Sequence, residues 1–272
     1  MSLITITRDI GCGGMTIARK VANELKLELY DDHRLQEEAI EMGVSSEDLN
    51  SFGKGAPGLF DRLLSHKPEI YLDLMGAVVY EIAHRGQGVI LGHGAYWLLK
   101  EFGCALQVRI YSSEGSRVEH LMNQRGMSSN AAEKIIHKSD NEKRGFLQFF
   151  FRMDWNDISL YDLIINRDKL GVESAARLIT EVAQSQQIKA CSLEALEKMG
   201  RLSLLKKVEA AILKERIDSQ DLHIEIPGEG IVYIAGSINP LESESHLLEA
   251  VRGVPGVAEI RSEVVVPEIA DI

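Results

Sequence analysis

The chain has 272 residues, 45% of them apolar and 26% charged, which suits a globular protein with a sizeable core and excludes a disordered or collagen-like chain. Its 30 Lys and Arg against 41 Asp and Glu leave a net charge of −11, the wrong sign for holding a nucleic-acid duplex by phosphate neutralisation. From Arg201 to Ile272, seven basic residues face 13 acidic ones, a net of −6 against −5 over the preceding 200 residues, so a second, more acidic unit is expected there.

Leu3 to Thr7 is a β-branched apolar run ending in a glycine cluster, the pattern of a buried parallel strand. Met15 to Leu25 follows with helical spacing, Ile17, Val21 and Leu25 on one face. Leu27 to Tyr30 is a second short strand, closed by Asp31 and Asp32. Helices are expected over His33–Met42, Ser46–Ser51 and Lys67–His84, with a Gly/Pro break from Gly53 to Gly58. Gly88 to Gly92 reads as a third strand, Ala105 to Tyr111 as a fourth and Asp162 to Asn166 as a fifth. Between and after them lie helical stretches at Ser113–Gln124, Ser128–Phe151 and Val172–Gln184. Short apolar strands alternating with helices predict an α/β fold, a five-stranded parallel sheet with helices on both faces. Ligands of such sheets bind beyond the carboxyl ends of the strands.

Gln184 to Lys189 is polar and reads as a linker. After it the pattern changes to an amphipathic helix, Leu202–Arg216, a hairpin of Leu222–Ile226 and Ile231–Gly236 around Pro227–Gly230, a helix at Leu241–Arg252 and a last strand, Ala258–Val266. This is a small α+β unit with antiparallel pairing expected. The three cysteines, Cys12, Cys104 and Cys191, show neither paired nor metal-ligand spacing, which favours a reducing compartment. No signal peptide or bilayer-spanning stretch is evident, so a cytoplasmic protein that is not transmembrane is expected.

The first candidate site is Arg8-Asp9-Ile10-Gly11-Cys12-Gly13-Gly14-Met15-Thr16, between a strand and a helix. That placement aims backbone N–H groups and a helix N-terminus at one point, an anion site. The match to a Walker A loop is incomplete. With Gly13 as its second glycine, Arg8 stands at the first glycine position, Gly14 at the lysine position, and Thr16 one residue past the usual Ser/Thr.

The segment ITITRDIGCGGMTIARKVANELKLELYDD resembles the opening of the cytidylate kinase-like family, among the P-loop nucleoside monophosphate kinases. The resemblance continues through Gly92-His93-Gly94, where the family has Gly-Arg-Gly, then Arg117, Asp140 and Arg144, Asp154-Trp155-Asn156-Asp157 and Tyr161-Asp162-Leu163. It implies an ATP- and Mg2+-dependent phosphotransferase on a nucleotide or nucleoside. Gly11, Cys12, Gly13, Gly14, Met15 and Thr16 would wrap the ATP phosphates, with Thr16 towards Mg2+. Arg8 would replace part of the lysine charge, and Lys143 and Arg144, on a lid helix, would bind the transferring phosphoryl group, with Arg125 and Arg152 in reserve. Asp31, Gly92, His93, Arg117 and Asp157 would contact the acceptor.

Other readings stand beside these. Asp31 serves equally as a helix N-cap, His93 as a buried hydrogen-bonded histidine, and Cys12 as a low-pKa thiol or a small residue in place of serine. The charged stretch around Lys143 fits a solvated helix face. Phe146, Phe149, Phe150, Phe151, Trp155 and Tyr161 fit core packing better than base stacking.

Val208-Glu209-Ala210-Ala211, Gly230 to Ile238 and Val254-Pro255-Gly256-Val257 resemble a BON domain, a small unit linked to binding of phospholipid, small ligands or proteins. The expected organisation is a P-loop kinase-like domain over 1–186, a linker over 187–201 and a BON-like domain over 202–268. The alternative function is a non-catalytic nucleotide sensor that signals through the BON-like domain.

Overall fold

The computed structural model describes residues 2–44, 68–154, 156–239 and 243–267. The helix expected at Ser46–Ser51, the Gly53–Gly58 break and Trp155 lie outside the described residues.

Five strands, β1 (Leu3–Arg8), β2 (Leu29–Tyr30), β3 (Gly88–Leu91), β4 (Ala105–Tyr111) and β5 (Leu163–Asn166), form a sheet in the order β2-β3-β1-β4-β5. Every pairing is parallel, with Leu3 opposite both Gly88 and Ala105, and Val108 opposite Leu163. This is the five-stranded parallel α/β architecture expected. The helices are α1 (Gly14–Leu25), α2 (Asp32–Glu41), α3 (Pro68–His84), a short α4 (Ala95–Leu98), α5 (Glu114–Arg125), α6 (Ser129–Phe151), α7 (Val172–Ala183), α8 (Leu193–Lys214) and α9 (Glu244–Arg252).

Successive strand residues point to opposite faces, so the sheet divides its apolar residues between two cores. Ile4, Ile6, Val89, Leu91, Leu106, Val108 and Ile110 pack with Ile17 and Val21 of α1 and Ile179 of α7. Leu3, Tyr30, Ile90 and Ala105 pack with Val78, Val79 and Ile82 of α3 and with Met199 of α8. On that second face the Thr5 hydroxyl donates to the Gln107 side-chain oxygen, and the Gln107 amide donates to the carbonyls of Leu99 and Ala105 at 3.3 Å, so the buried amide is satisfied. At the sheet's edge Glu38, 1% exposed, holds Arg85 at 2.6 Å and Arg34 at 2.5 Å and so ties α2 to α3.

A second sheet of three strands, in the order β6-β7-β8, is separate from the first. Strands β6 (Leu222–Gly228) and β7 (Ile231–Ser237) form the expected antiparallel hairpin. Strand β8 (Glu259–Val265) pairs with β7 in parallel, correcting the expectation of antiparallel pairing throughout. The reason is α9, which carries the chain back across the sheet before β8 begins. Val208 and Ile212 of α8, Val232 and Ile234 of β7, and Leu247 and Val251 of α9 form its core.

The stretch 187–201, expected as a linker, is helical from Leu193: α8 runs unbroken for 22 residues. Its first half packs on α3, where Met199 is fully buried and the Ser203 hydroxyl donates to the Ala77 carbonyl at 3.0 Å. Lys206 then bridges to Asp73 at 2.9 Å, and the second half of α8 enters the core of the small sheet.

The cysteine expectation is also corrected. Cys104 and Cys191, 87 residues apart, form a disulfide with their Cα atoms 4.9 Å apart. Cys12 is free and buried. Among the described residues no helix is long and apolar enough to cross a membrane.

Candidate active site

The loop from Asp9 to Gly13 leaves the carboxyl end of β1 in the middle of the sheet and enters α1 at Gly13, whose φ of 75° is left-handed. The turn demands glycine twice. A Cβ at Gly11, where φ is 82°, would lie 2.9 Å from the Arg117 carbonyl oxygen, and one at Gly13 would lie 3.1 Å from the guanidinium of Arg167. In the loop's backbone hydrogen bonds Cys12 donates to the Asp9 carbonyl, and Thr16 and Ile17 to the Gly13 carbonyl. The N–H groups of Gly11, Gly13 and Met15 take no part in these bonds among the described residues and lie at the start of a 12-residue helix. That arrangement binds anions through backbone dipoles.

Gly14, at the lysine position, has a specific neighbour. A Cβ there would fall 2.7 Å from Cβ of Arg8 and 3.1 Å from its Cγ. The Arg8 side chain therefore runs across the start of α1. Its tip reaches the end of β3, where a Cβ at Gly92 would meet the guanidinium at 2.9 Å. Lys143 of α6 arrives from the other side, its ammonium donating to the Arg8 carbonyl at 2.7 Å. Desolvation lowers its pKa to about 8 against the opposing pull of Asp9. Two cationic side chains thus converge on the loop.

Asp9 is buried, and desolvation raises its pKa despite the charges of Lys143, Arg109 and Arg117. Arg117, also buried, makes a paired contact with Asp140 of α6 at 3.0 and 2.8 Å and so fixes α6 over α5. Cys12 is not a low-pKa thiol: burial raises its pKa, outweighing a hydrogen bond from Gly14, and its sulfur contacts the Ile110 carbonyl at 3.6 Å.

On the β2–β3 side, Asp31 caps α2, accepting the Arg34 N–H at 3.1 Å, which is the capping alternative. His93, between Gly92 and Gly94, meets Asp32 at 2.8 Å and the Tyr71 hydroxyl at 3.4 Å. The neighbouring Asp32 is thus drawn in where Asp31 was expected to act. Asp157 caps a 3-10 turn, Ile158–Leu160, accepting from the Ser159 N–H and hydroxyl. Arg144 and Thr16 are exposed on α6 and on the first turn of α1. Phe146 and Tyr161 pack with Tyr96 and Leu147, the core-packing alternative.

The family's sequence model matches residues 3–169, more than half of the chain. The chain belongs to the cytidylate kinase-like family. It is 28% identical over 184 residues to a cytidylate kinase of Staphylothermus marinus, covering 66% of this chain and 96% of that one. Over 182 residues it is 29% identical to a cytidylate kinase of Methanocaldococcus jannaschii, covering 65% and 95%. The fold is like the crystal structure of an uncharacterized protein from Eubacterium ventriosum, with a TM-score of 0.53 at 21% identity, covering 68% of this chain and 99% of that one. The match places the glycine loop, the Gly-His-Gly turn and α6 of this cytidylate kinase-like chain within the family segment, and leaves the three-stranded sheet beyond it.

Two further arginines stand at the candidate site, of which sequence reasoning missed Arg109 altogether. Arg167 lies over Gly13, one residue past β5. Arg109, buried in β4, hydrogen-bonds Asn156 at 3.1 Å and lies 5.6 Å from the Tyr161 ring centroid. The signal for Arg167 was its place at a strand's carboxyl end, where such sheets bind ligands.

Proposed function

We propose that this chain is an ATP-dependent phosphotransferase acting on a nucleotide or nucleoside, with the reaction centred on the glycine loop. What carries the reading is the course of Arg8, which crosses Gly14 and ends at Gly92, so a guanidinium lies between the loop and β3. Phosphoryl transfer depends on positioning and charge neutralisation, and a cation between donor and acceptor serves both. The N–H groups of Gly11, Gly13 and Met15 would cradle the phosphates beside Cys12 and Gly14. Arg8 and Lys143 would share the role of the missing lysine. Arg144 would act from the exposed side of α6 on closure, and Arg167 would cover the loop at Gly13.

Mg2+ neutralises phosphate charge in such reactions. The exposed Thr16 hydroxyl on the first turn of α1 fits as its protein donor, since Mg2+ commonly takes one or two protein groups along with phosphates and water. Residues 1–186 would form the catalytic unit and 202–268 a BON-like module for a small ligand, phospholipid or protein. The unbroken α8, gripping α3 through Ser203 and Lys206, supports a mechanical link between the two.

The test is a phosphotransfer assay of the full chain with Mg-ATP, nucleoside monophosphates and nucleosides, with products resolved by chromatography. Transfer that is lost in Arg8→Ala supports the reading. If Mg-ATP raises the melting temperature while no acceptor is phosphorylated, the nucleotide-sensor alternative replaces it.

A further inference from the structure

Where α8 passes from α3 to the small sheet there is a cavity of about 170 Å³. Asp73 of α3, Glu209, Ile212 and Leu213 of α8, and Leu222 and Ile224 of β6 line it. One water needs roughly 15 Å³ of such space, so the cavity has room for a small organic molecule. One wall comes from the unit of the parallel sheet and the rest from α8 and the hairpin.

The polar wall is short of positive charge. The Lys206 ammonium donates to Asp73 Oδ1 at 2.9 Å and to Glu209 Oε2 at 2.6 Å. Among the described residues the other oxygen of each carboxylate, Asp73 Oδ2 and Glu209 Oε1, accepts no hydrogen bond. The Asp73 side chain is 14% exposed, so water reaches it poorly. Burial raises its pKa, outweighing the pull of Lys206, and the charges of Glu209 and Glu69 raise it further. One ammonium therefore serves two carboxylates, and a second cation beside them stabilises their charged forms.

The donor set and the walls select among cations. A metal ion fits poorly. Among the described residues no group of three or more His, Cys, Asp or Glu is placed to hold one. The Lys206 ammonium already bridges the two carboxylates, and a hard divalent ion needs about six oxygen ligands. A phosphate or a phospholipid headgroup is repelled by the uncompensated carboxylate. Ile212, Leu213, Leu222 and Ile224 offer apolar surface that a bare ion leaves uncovered. An ammonium group carrying a short alkyl chain supplies the missing charge and covers that surface.

We propose that this cavity binds a short aliphatic amine in its ammonium form, with the charge beside Asp73 and Glu209 and the chain against Ile212, Leu222 and Ile224. The site is separate from the one assigned to phosphotransfer and does not depend on that reading. It nevertheless adjoins it. Ala210, next to Glu209, packs with Leu74 and Tyr71, and the Tyr71 hydroxyl is 3.4 Å from Nδ1 of His93.

The probe is n-butylammonium chloride, titrated into the full chain with isotope-labelled isoleucine methyl groups and followed by NMR. The Ile212 and Ile224 methyl resonances, assigned through Ile→Val variants, should shift saturably, while that of Ile17 in the parallel-sheet core stays in place. Binding should be at least about tenfold tighter than that of n-butanol, and butyrate should give no shift. Glu209→Gln removes one of the two charges while Lys206 keeps Asp73 as its partner. It should weaken binding about tenfold or more, the scale of a hydrogen bond to a charged group, and leave phosphotransfer unchanged. Equal binding of n-butanol would reduce the cavity to an apolar crevice and overturn the proposal. So would shifts that sodium chloride reproduces at the same ionic strength, undiminished binding in a folded Glu209→Gln, or the absence of any saturable shift. Should Glu209→Gln fail to fold, the ranking of n-butylammonium, n-butanol and butyrate on the unaltered chain decides.

Discussion

The side chain of Arg8 fills the space that any side chain at position 14 would need: a Cβ on Gly14 would lie 2.7 Å from Cβ of Arg8. The two departures from the Walker pattern, an arginine where the loop has glycine and a glycine where it has lysine, are therefore one structural exchange. Restoring lysine at position 14 alone is expected to fail, because the new side chain meets the first carbons of Arg8. Gly14→Lys should lower kcat by about 10²-fold or more, and Arg8→Gly should lower it by about 10²-fold, the scale of removing one preorganised charge contact worth about 3 kcal/mol. The double variant Arg8→Gly with Gly14→Lys should recover part of the loss. A steady-state assay of ADP release on the four proteins measures this. Strictly additive losses would show that the exchange is not functional.

Lys143 gives the reaction a pH dependence with a definite sign. Its pKa is lowered to about 8 by desolvation, so the free protein loses this charge as pH rises through 8. Bound phosphates favour the protonated form and raise that pKa, so ATP binding takes up a proton in the window above about pH 8. Affinity for ATP should be full below that window and fall as pH rises through the bound-state pKa. Calorimetry at pH 8.5 in buffers of different ionisation enthalpy reads the proton uptake directly. Lys143→Met should abolish it and weaken ATP binding at pH 7 by about tenfold or more, the order expected for a charged hydrogen bond. Equal proton uptake in the variant would assign the titration to another group.

The five parallel strands were legible because each is a short apolar run bounded by turn residues, and β1, β3 and β4 are buried on both faces. The glycine loop was legible from its place between strand and helix. What was not legible depended on contacts distant in sequence. Residues 187–201 read as a linker, yet α8 begins at Leu193 and runs through Gly200, where a Cβ would come 3.2 Å from the His84 ring. Close packing on α3 keeps the helix intact there. The parallel partner of β7 was hidden because a hairpin signal is local and a crossover is not. In the site, the spacing exposed Arg8 and Gly14 as oddities, but only the fold brings them to one place, and only the fold shows that His93 answers to Asp32. Arg167 could not be assigned to the loop because it meets Gly13 only through the fold.

Glu38 ties α2 to α3 away from the loop and offers a test of stability alone. Its carboxylate is 1% exposed and contacts Arg85 at 2.6 Å and Arg34 at 2.5 Å. Glu38→Gln removes the charge that both arginines share. The expected loss is about 3 kcal/mol, the low end for breaking a buried pair, because the Arg85 side chain is 40% exposed and water compensates part of its charge. Urea unfolding of the variant checks the value. A loss below about 1 kcal/mol would mean that solvent takes over the arginines fully.

The Cys104–Cys191 pairing makes stability depend on redox conditions. The bond closes a loop of 87 residues between the start of β4 and the approach to α8. A crosslink of that span restricts the unfolded chain by about 4 kcal/mol in the chain-entropy account, which is an upper bound because native contacts already hold α8 against α3. Cys191→Ser should therefore lower the urea midpoint in an oxidising buffer and match the unaltered chain in reductant. Thiol titration in denaturant should find one thiol in the oxidised chain, that of buried Cys12, and three after reduction. Non-reducing peptide mapping should recover the two half-cystines in one linked fragment. Identical midpoints with and without reductant, together with three titrating thiols throughout, would show that α8 docks on packing alone, through Met199, Ser203 and Lys206.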